Sequence, residues 1–158
     1  MDSKLYMSLN RLGSAGYMTN WAARLFALAI EQRLKPQGLA PAHLPVLFAL
    51  ADGAALSQKA LAAAAAVEQP TMAATLNRME RDGLIARSPD PADRRSSLVS
   101  LTVAARDKLD AVRQATEAVN ALALAGLGET ERAIFLDQLG RVVVALEQDT
   151  ARRKRGPS

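Results

Sequence analysis

"QPTMAATLNRMERDGLIARSPDPADRRSSLVSLT", residues 69–102, changes its local pattern three times. Its first part has helical spacing. Met72, Leu76 and Met79 recur at intervals of four and three, which puts them on one side of a helix. The opposite side carries Thr71, Ala74, Thr75, Arg78 and Arg81, small or polar near the start and cationic further on. Pro70 suits a first helical turn, and Gly83 suits the left-handed residue that stops a helix. Two short runs follow that read as strands, Leu84-Ile85-Ala86 and Leu98-Val99-Ser100-Leu101. Between them lies "RSPDPADRRSS", residues 87–97. A loop of roughly ten residues is long for a purely structural connection. A two-stranded hairpin is also unstable alone, so it must lean on the helices around it.

Working outward, Ser57 is a good N-cap for a short helix from Gln58 to about Ala65. Leu61 and Val67 would pack that helix against the one starting near Gln69. Upstream, Trp21, Leu25, Leu28 and Leu34 recur at roughly helical spacing between Tyr17 and Leu34. "KPQGLAP" breaks this helix. Pro41 then opens a second one, running to about Ala51 through Leu44, Leu47 and Phe48, with Pro45 costing it some regularity. Downstream, Thr102 can cap a fifth helix to about Ala125, carrying Leu109, Val112, Val119 and Leu122. A sixth runs from about Glu129 to Ala151 through Ile134, Phe135, Leu139, Val142, Val143 and Leu146. Residues 1–13 extend the first helix or pack against a partner chain. The fold class is mainly α with a small β-hairpin wing: a winged helix-turn-helix core plus long helices. The chain reads as a single domain. Residues of about 40–102 form the winged lobe, about 1–37 and 103–151 a helical lobe, and 152–158 a basic disordered tail.

Composition narrows the function. The 158 residues include one histidine and no cysteine. A thiolate metal site, a cysteine nucleophile and a thiol switch are excluded. With no clustered carboxylates beside a nucleophile, neither a catalytic triad nor a metal site can be assembled, so an enzyme is not expected. No apolar run reaches the roughly 18 residues of a membrane span, and "MDSKLYMSLN" lacks a signal-peptide pattern. A cytoplasmic protein without cofactor or membrane partner is expected. The net charge of +4 is less telling than it looks. Of 20 lysines and arginines, four are Arg152, Arg153, Lys154 and Arg155, and the other 16 balance 16 acidic residues. Charge placement therefore matters more than the total.

That placement points to DNA. A helix entering a major groove needs small residues for close approach, hydroxyls and amides for base edges, and arginines for phosphate or guanine. The 71–81 face supplies all three. A guanidinium-rich hairpin beside it can reach the adjacent minor groove, whose negative potential attracts arginine. Asp93 can pair with one arginine and hold the tip, leaving another free. Arg87 would close the first strand near the DNA backbone.

The segments "VEQPTMAATLNRMERDGLIAR" and "DPADRRSSLVSLT" resemble the winged helix-turn-helix core of the MarR family of transcription regulators. The second is the more specific, an Asp-x-Arg tip followed by a strand ending in Leu-Thr. The opening around Glu68-Gln69-Pro70 is similar to the SlyA-like branch. The resemblance implies a homodimer built by the first, fifth and sixth helices, reading an inverted repeat of double-stranded DNA, as a ligand-responsive repressor. By position it implies DNA-facing roles for Gln69, Thr71, Ala74, Thr75 and Arg78 on the helix. It implies the same for Asp93, Arg94 and Arg95 on the wing, with Ser57 and Gln58 near phosphates. Three positions depart from the family pattern. Ala66 and Ala105 replace frequent glycines, and Ala74 stands where an arginine or other polar side chain is common, which removes a base or phosphate contact.

Related proteins bind small aromatic or phenolic acids. Trp21, Arg24 and His43 are the candidate ligand residues, against plainer readings as packing or interface groups. The peroxide-sensing branch uses a cysteine that this chain lacks. Met7, Met18, Met72 and Met79 read as core or interface. The alternative function is a winged-helix protein-interaction module that has lost DNA binding, motivated by Ala74 and the neutral body.

Overall fold

The computed structural model describes residues 10–155, and expectations for residues 1–9 (Met7 among them) and 156–158 lie outside the described residues. A 3-10 turn at Arg11–Gly13 precedes α1 (Ala15–Leu34). α2 (Leu44–Leu50) follows a second 3-10 turn at Pro41–His43. Then come β1 (Leu56–Ser57), α3 (Gln58–Ala64), α4 (Gln69–Arg81), β2 (Ile85–Pro89) and β3 (Ser97–Leu101). A single turn, α5 (Val103–Arg106), leads to α6 (Leu109–Ala123) and α7 (Glu129–Arg155). The chain divides into a compact unit of residues 1–119 and a second of residues 120–158. No helix among the described residues is long and apolar enough to cross a membrane.

The core of the first unit forms where the α4 pattern predicts it. Met72, Leu76 and Met79 are buried, under Leu47 and Leu50 of α2, Leu61 of α3, Leu84, Ile85 and Val99. Val112, Ala115 and Val119 close it from α6. Ala105, where the resemblance leads to a glycine, is fully buried, so its methyl group fills core space.

Leu25 and Leu28 of α1 are exposed, and α1 turns Ile30 and Leu34, backed by Phe26 and Ala29, into the core. Three expectations are corrected. Val67 is exposed while Ala62, one turn of chain earlier, is buried with Leu61. The helix after Thr102 is not continuous. Thr102 Oγ1 accepts the Ala105 amide and caps α5, but α5 ends at Arg106 and α6 starts afresh at Leu109. The last helix runs to Arg155, so Arg152 and its neighbours extend a helix rather than begin a disordered tail. Pro45 is the second residue of α2, in the first turn, where its missing amide hydrogen leaves no intrahelical bond unmade.

The wing belongs to a three-stranded antiparallel sheet in the order β1-β3-β2. β2 and β3 pair from Ile85–Leu101 out to Pro89–Ser97, so the strands extend further than their apolar runs and the loop shortens to Asp90–Ser96. β1 adds Leu56 opposite Val99 and Ser57 opposite Leu98.

α3 and α4 stop by the same device. After α4 the Gly83 amide donates to Glu80 O and the Leu84 amide to Met79 O, with Gly83 at φ +72°. After α3 the Ala66 amide donates to Ala63 O and the Val67 amide to Ala62 O. Both are Schellman motifs with a left-handed residue after the cap. At the second that residue is Ala66, at φ +52°, the sole non-glycine with positive φ among the described residues. A left-handed alanine costs about 1–2 kcal/mol, part of which glycine gives back through its freer unfolded chain. Ala66→Gly should therefore stabilise the protein by roughly 0.5–1 kcal/mol. Urea titration of both proteins checks this, and a lower midpoint for the glycine variant would contradict it.

Candidate nucleic-acid interface

α4 is seated by its buried Met72-Leu76-Met79 face, which turns Gln69, Thr71, Ala74 and Arg78 to solvent. Thr75 is half-buried, and its hydroxyl donates to Thr71 O at 3.2 Å, leaving its oxygen free to accept. Glu68, the N-cap, makes no side-chain capping bond, and Pro70 removes one donor. First-turn amides of α4 thus lack a side-chain acceptor, which favours an anion there. Ala74 offers only a methyl group between Thr71 and Arg78, a surface for close approach rather than a polar contact. Arg78 has no side-chain partner among the described residues.

Ser57 and Gln58 sit where β1 becomes α3, both half-buried. Ser57 Oγ accepts the Ala60 amide at 3.2 Å. That amide is therefore not available to a phosphate. The hydroxyl hydrogen of Ser57 still is.

The wing tip is ordered by four hydrogen bonds from backbone amides, two accepted by carbonyls and two by aspartate side chains. Asp90 Oδ1 accepts the Ala92 amide at 2.8 Å, and the Asp90 amide donates to Ser96 O at 3.1 Å. Asp93 Oδ1 accepts the Arg95 amide at 3.0 Å, and the Ser96 amide donates to Asp93 O at 2.9 Å. Asp93 also lies 3.7 Å from Arg95 Nε, but that arginine side chain is 95% exposed. Such a pair contributes less than about 1 kcal/mol, so the turn, not the ion pair, sets the shape. Arg94 has no side-chain partner among the described residues. The expected division between a paired and a free arginine is present in the geometry.

Arg87 is held against α4. Its Nε donates to Glu80 Oε2 at 3.0 Å and its Nη2 to Asn77 Oδ1 at 3.0 Å. The guanidinium is folded onto α4 by two of its N–H donors. Sequence reading missed Asn77 and Glu80, although their spacing of three on α4 was available as a signal for a shared face.

Of the three candidate ligand residues, Trp21 and Arg24 lie one turn apart on α1 and His43 ends the 3-10 turn before α2. Trp21 is half-exposed, meets the Tyr17 ring edge-on at 6.2 Å and has the Arg11 guanidinium 5.3 Å from its centroid. Arg24 donates to Asn20 on its own helix at 3.0 Å. His43 is buried. Its Nδ1 accepts the Ala40 amide at 3.2 Å, and Nε2 has no partner. A groove of about 350 Å³ lies between the end of α2 and α6, lined by Phe48, Ala51, Leu109, Val112, Arg113 and Thr116. Arg113 is held by Asp110 at 3.2 Å and Glu117 at 3.3 Å, and these hydrogen bonds raise its pKa, keeping it cationic. Among the described residues no group of three or more His, Asp or Glu could hold a metal ion.

Burial lowers the pKa of His43; Asp82 opposes this and Arg78 adds to it. The folded state therefore binds the imidazole proton less readily than the unfolded chain. His43 lends its full contribution above the ordinary histidine value of 6.5, and stability falls as pH drops below it. Replacing His43 by glutamine should flatten the fall in urea midpoint between about pH 7 and 5. An unchanged pH profile in the variant would assign that fall to other groups.

Comparison with known proteins places this geometry. A family model described as MarR family matches residues 37–96. The HTH-type transcriptional repressor NicR of Pseudomonas putida is 32% identical over 117 residues, 74% of this chain and 73% of that protein. Bordetella bronchiseptica BpsR, described with a mechanism for regulation of its DNA binding by 6-hydroxynicotinic acid, is 28% identical with a TM-score of 0.75. The match covers 83% of this chain and 94% of BpsR. The transcriptional repressor CouR, bound to a 23-mer DNA duplex, is 25% identical with a TM-score of 0.75, over 85% of this chain and 96% of that one.

Proposed function

This chain belongs to the MarR family of transcriptional regulators, and from that premise we propose that it acts as a homodimeric repressor binding an inverted-repeat operator. The carrying observation is the pairing of an α4 face (Gln69, Thr71, Thr75, Arg78) with a wing tip whose Arg94 is free and whose Arg95 is fully extended into solvent. The helix face suits a major groove, and the tip suits the adjacent minor groove. BpsR, a relative at 28% identity, is described with regulated DNA binding, and CouR is described bound to duplex DNA. The Glu68-Gln69-Pro70 opening of α4 supports a place in the SlyA-like branch.

Dimerisation is supported by α7. None of its described residues is buried, and Ile134, Phe135, Leu136, Val142, Val143, Val144 and Leu146 are exposed. Apolar surface of this extent on one helix calls for a partner. Leu25 and Leu28 of α1 are exposed apolar residues as well.

The effector in this reading is a small aromatic acid, the class to which the 6-hydroxynicotinic acid named for BpsR belongs. The α2–α6 groove is the place for it, at the small end of the usual range for ligand pockets. The Phe48 ring would face the aromatic ring and Arg113 the carboxylate, at the cost of loosening its pairs with Asp110 and Glu117.

The test is selection of random duplex DNA by the purified protein, repeated with 6-hydroxynicotinic acid. An enriched palindrome, weakened by the acid, is the expected result. Failure to enrich any duplex, with a protein partner recovered instead, would favour the interaction-module reading.

A further inference from the structure

We propose that Glu80, through Arg87, is a positioning residue that fixes the angle of the wing relative to α4. The inference rests on the DNA-binding reading above for its functional consequence, but not for its geometry. Asn77 and Glu80 lie one turn apart on α4, and the single guanidinium of Arg87 spans both at 3.0 Å each. The Arg87 side chain is 25% exposed and the Glu80 side chain 45%, so the pair is sheltered without being buried. The base of the hairpin is already fixed from the other direction. Thr102 Oγ1 donates to Gly83 O at 2.7 Å, and the Thr102 amide donates to Leu84 O at 3.1 Å. Further out along β2, Arg87 makes the only side-chain hydrogen bonds between α4 and the wing among the described residues.

The wing must reach one groove while α4 occupies its neighbour, so the angle between them decides whether both engage at once. β1 holds the hairpin on its β3 side, through Val99 and Leu98, which lie level with Arg87 and Ser88. The Arg87 fork adds the tie on the β2 side, to the flank of α4. Glu80 then has an effect opposite to its charge. A carboxylate on a DNA-binding lobe repels phosphate, and its removal ordinarily tightens binding. Glu80 instead strengthens binding by holding Arg87, and so the wing, in place.

The experiment compares Glu80→Ala, Arg87→Ala and the exchanged pair Glu80→Arg with Arg87→Glu against the wild-type chain. In the free protein, amide hydrogen exchange over residues 87–97 should rise several-fold in both alanine variants and return toward wild type in the exchanged pair. On the selected duplex, Glu80→Ala should bind roughly three- to tenfold more weakly, with an unchanged slope of log affinity against log salt. Equal or tighter binding by Glu80→Ala would overturn the proposal. So would an Arg87→Ala variant whose salt slope falls by about one phosphate while Glu80→Ala binds normally, since Arg87 would then be a phosphate contact. If the wild-type protein bound no duplex, the repressor reading would fall. Exchange rates in the free protein would still decide the bracket, and unchanged rates in Glu80→Ala would end it.

Discussion

Replacing Arg94 and Arg95 together by alanine should weaken operator binding by about 2–6 kcal/mol, at about 1–3 kcal/mol for each arginine withdrawn from the DNA. Both side chains are exposed, and the one ion pair between them and the rest of the chain, Arg95 with Asp93, is too solvated to matter for folding. The loss should therefore appear in binding with no shift in unfolding midpoint. Two cationic contacts also release counterions, so the salt slope should fall by up to about 1.8. Asp93→Ala offers a contrast. It keeps both cations but removes the oxygen that accepts the Arg95 amide, so affinity should drop by less while the salt slope stays put. Operator titrations at three salt concentrations distinguish these cases. A double variant that binds as tightly as wild type would mean that the wing does not touch DNA.

Leu76→Ala should cost about 2–5 kcal/mol of folding stability. Leu76 has no exposed surface and sits at the middle of the α4 stripe, between Met72 and Met79, both also buried. The neighbouring shell, Leu47, Leu61 and Val99, comes from three different elements, each held by its own hydrogen bonds. Such a shell relaxes little into a void, which places the cost toward the upper part of that range. At about 2–4 °C per kcal/mol for a chain of this size, the melting temperature should fall by roughly 8–20 °C. Thr71→Ala, on the exposed side of the same helix, is the control and should leave it nearly unchanged. A Leu76→Ala shift no larger than the control's would show that α4 is not seated by this stripe.

The legible features were those written in local sequence. The α4 stripe needed only residues three and four apart. The Ser57 and Thr102 caps and the Gly83 stop needed only residue type and position. The misread features depended on what lay across space. β1 is two residues long, too short for any alternation to register, and exists because β3 presents a free edge beside it. The strands of the wing run on through Arg87, Ser88 and Pro89, which carry no strand pattern, because backbone pairing with Val99, Leu98 and Ser97 holds them there. The partners of Arg87, Asn77 and Glu80, were not legible because they looked like solvated positions on an amphipathic helix. The groove was hidden for the same reason, since Phe48 and Arg113 are brought together only by the packing of α2 on α6.

Ser57 carries a consequence for sequence tolerance. Its backbone is the last paired position of β1, opposite Leu98, and its side chain is the N-cap of α3. A replacement must satisfy an extended residue in a sheet and a hydroxyl or carboxyl acceptor at a helix start. Asparagine and aspartate cap well but are depleted in strands, while valine and isoleucine suit strands but cannot cap. Threonine alone is favoured in both roles, which leaves this surface position with a narrower choice of residue than much of the buried core, where several apolar side chains of similar volume will serve.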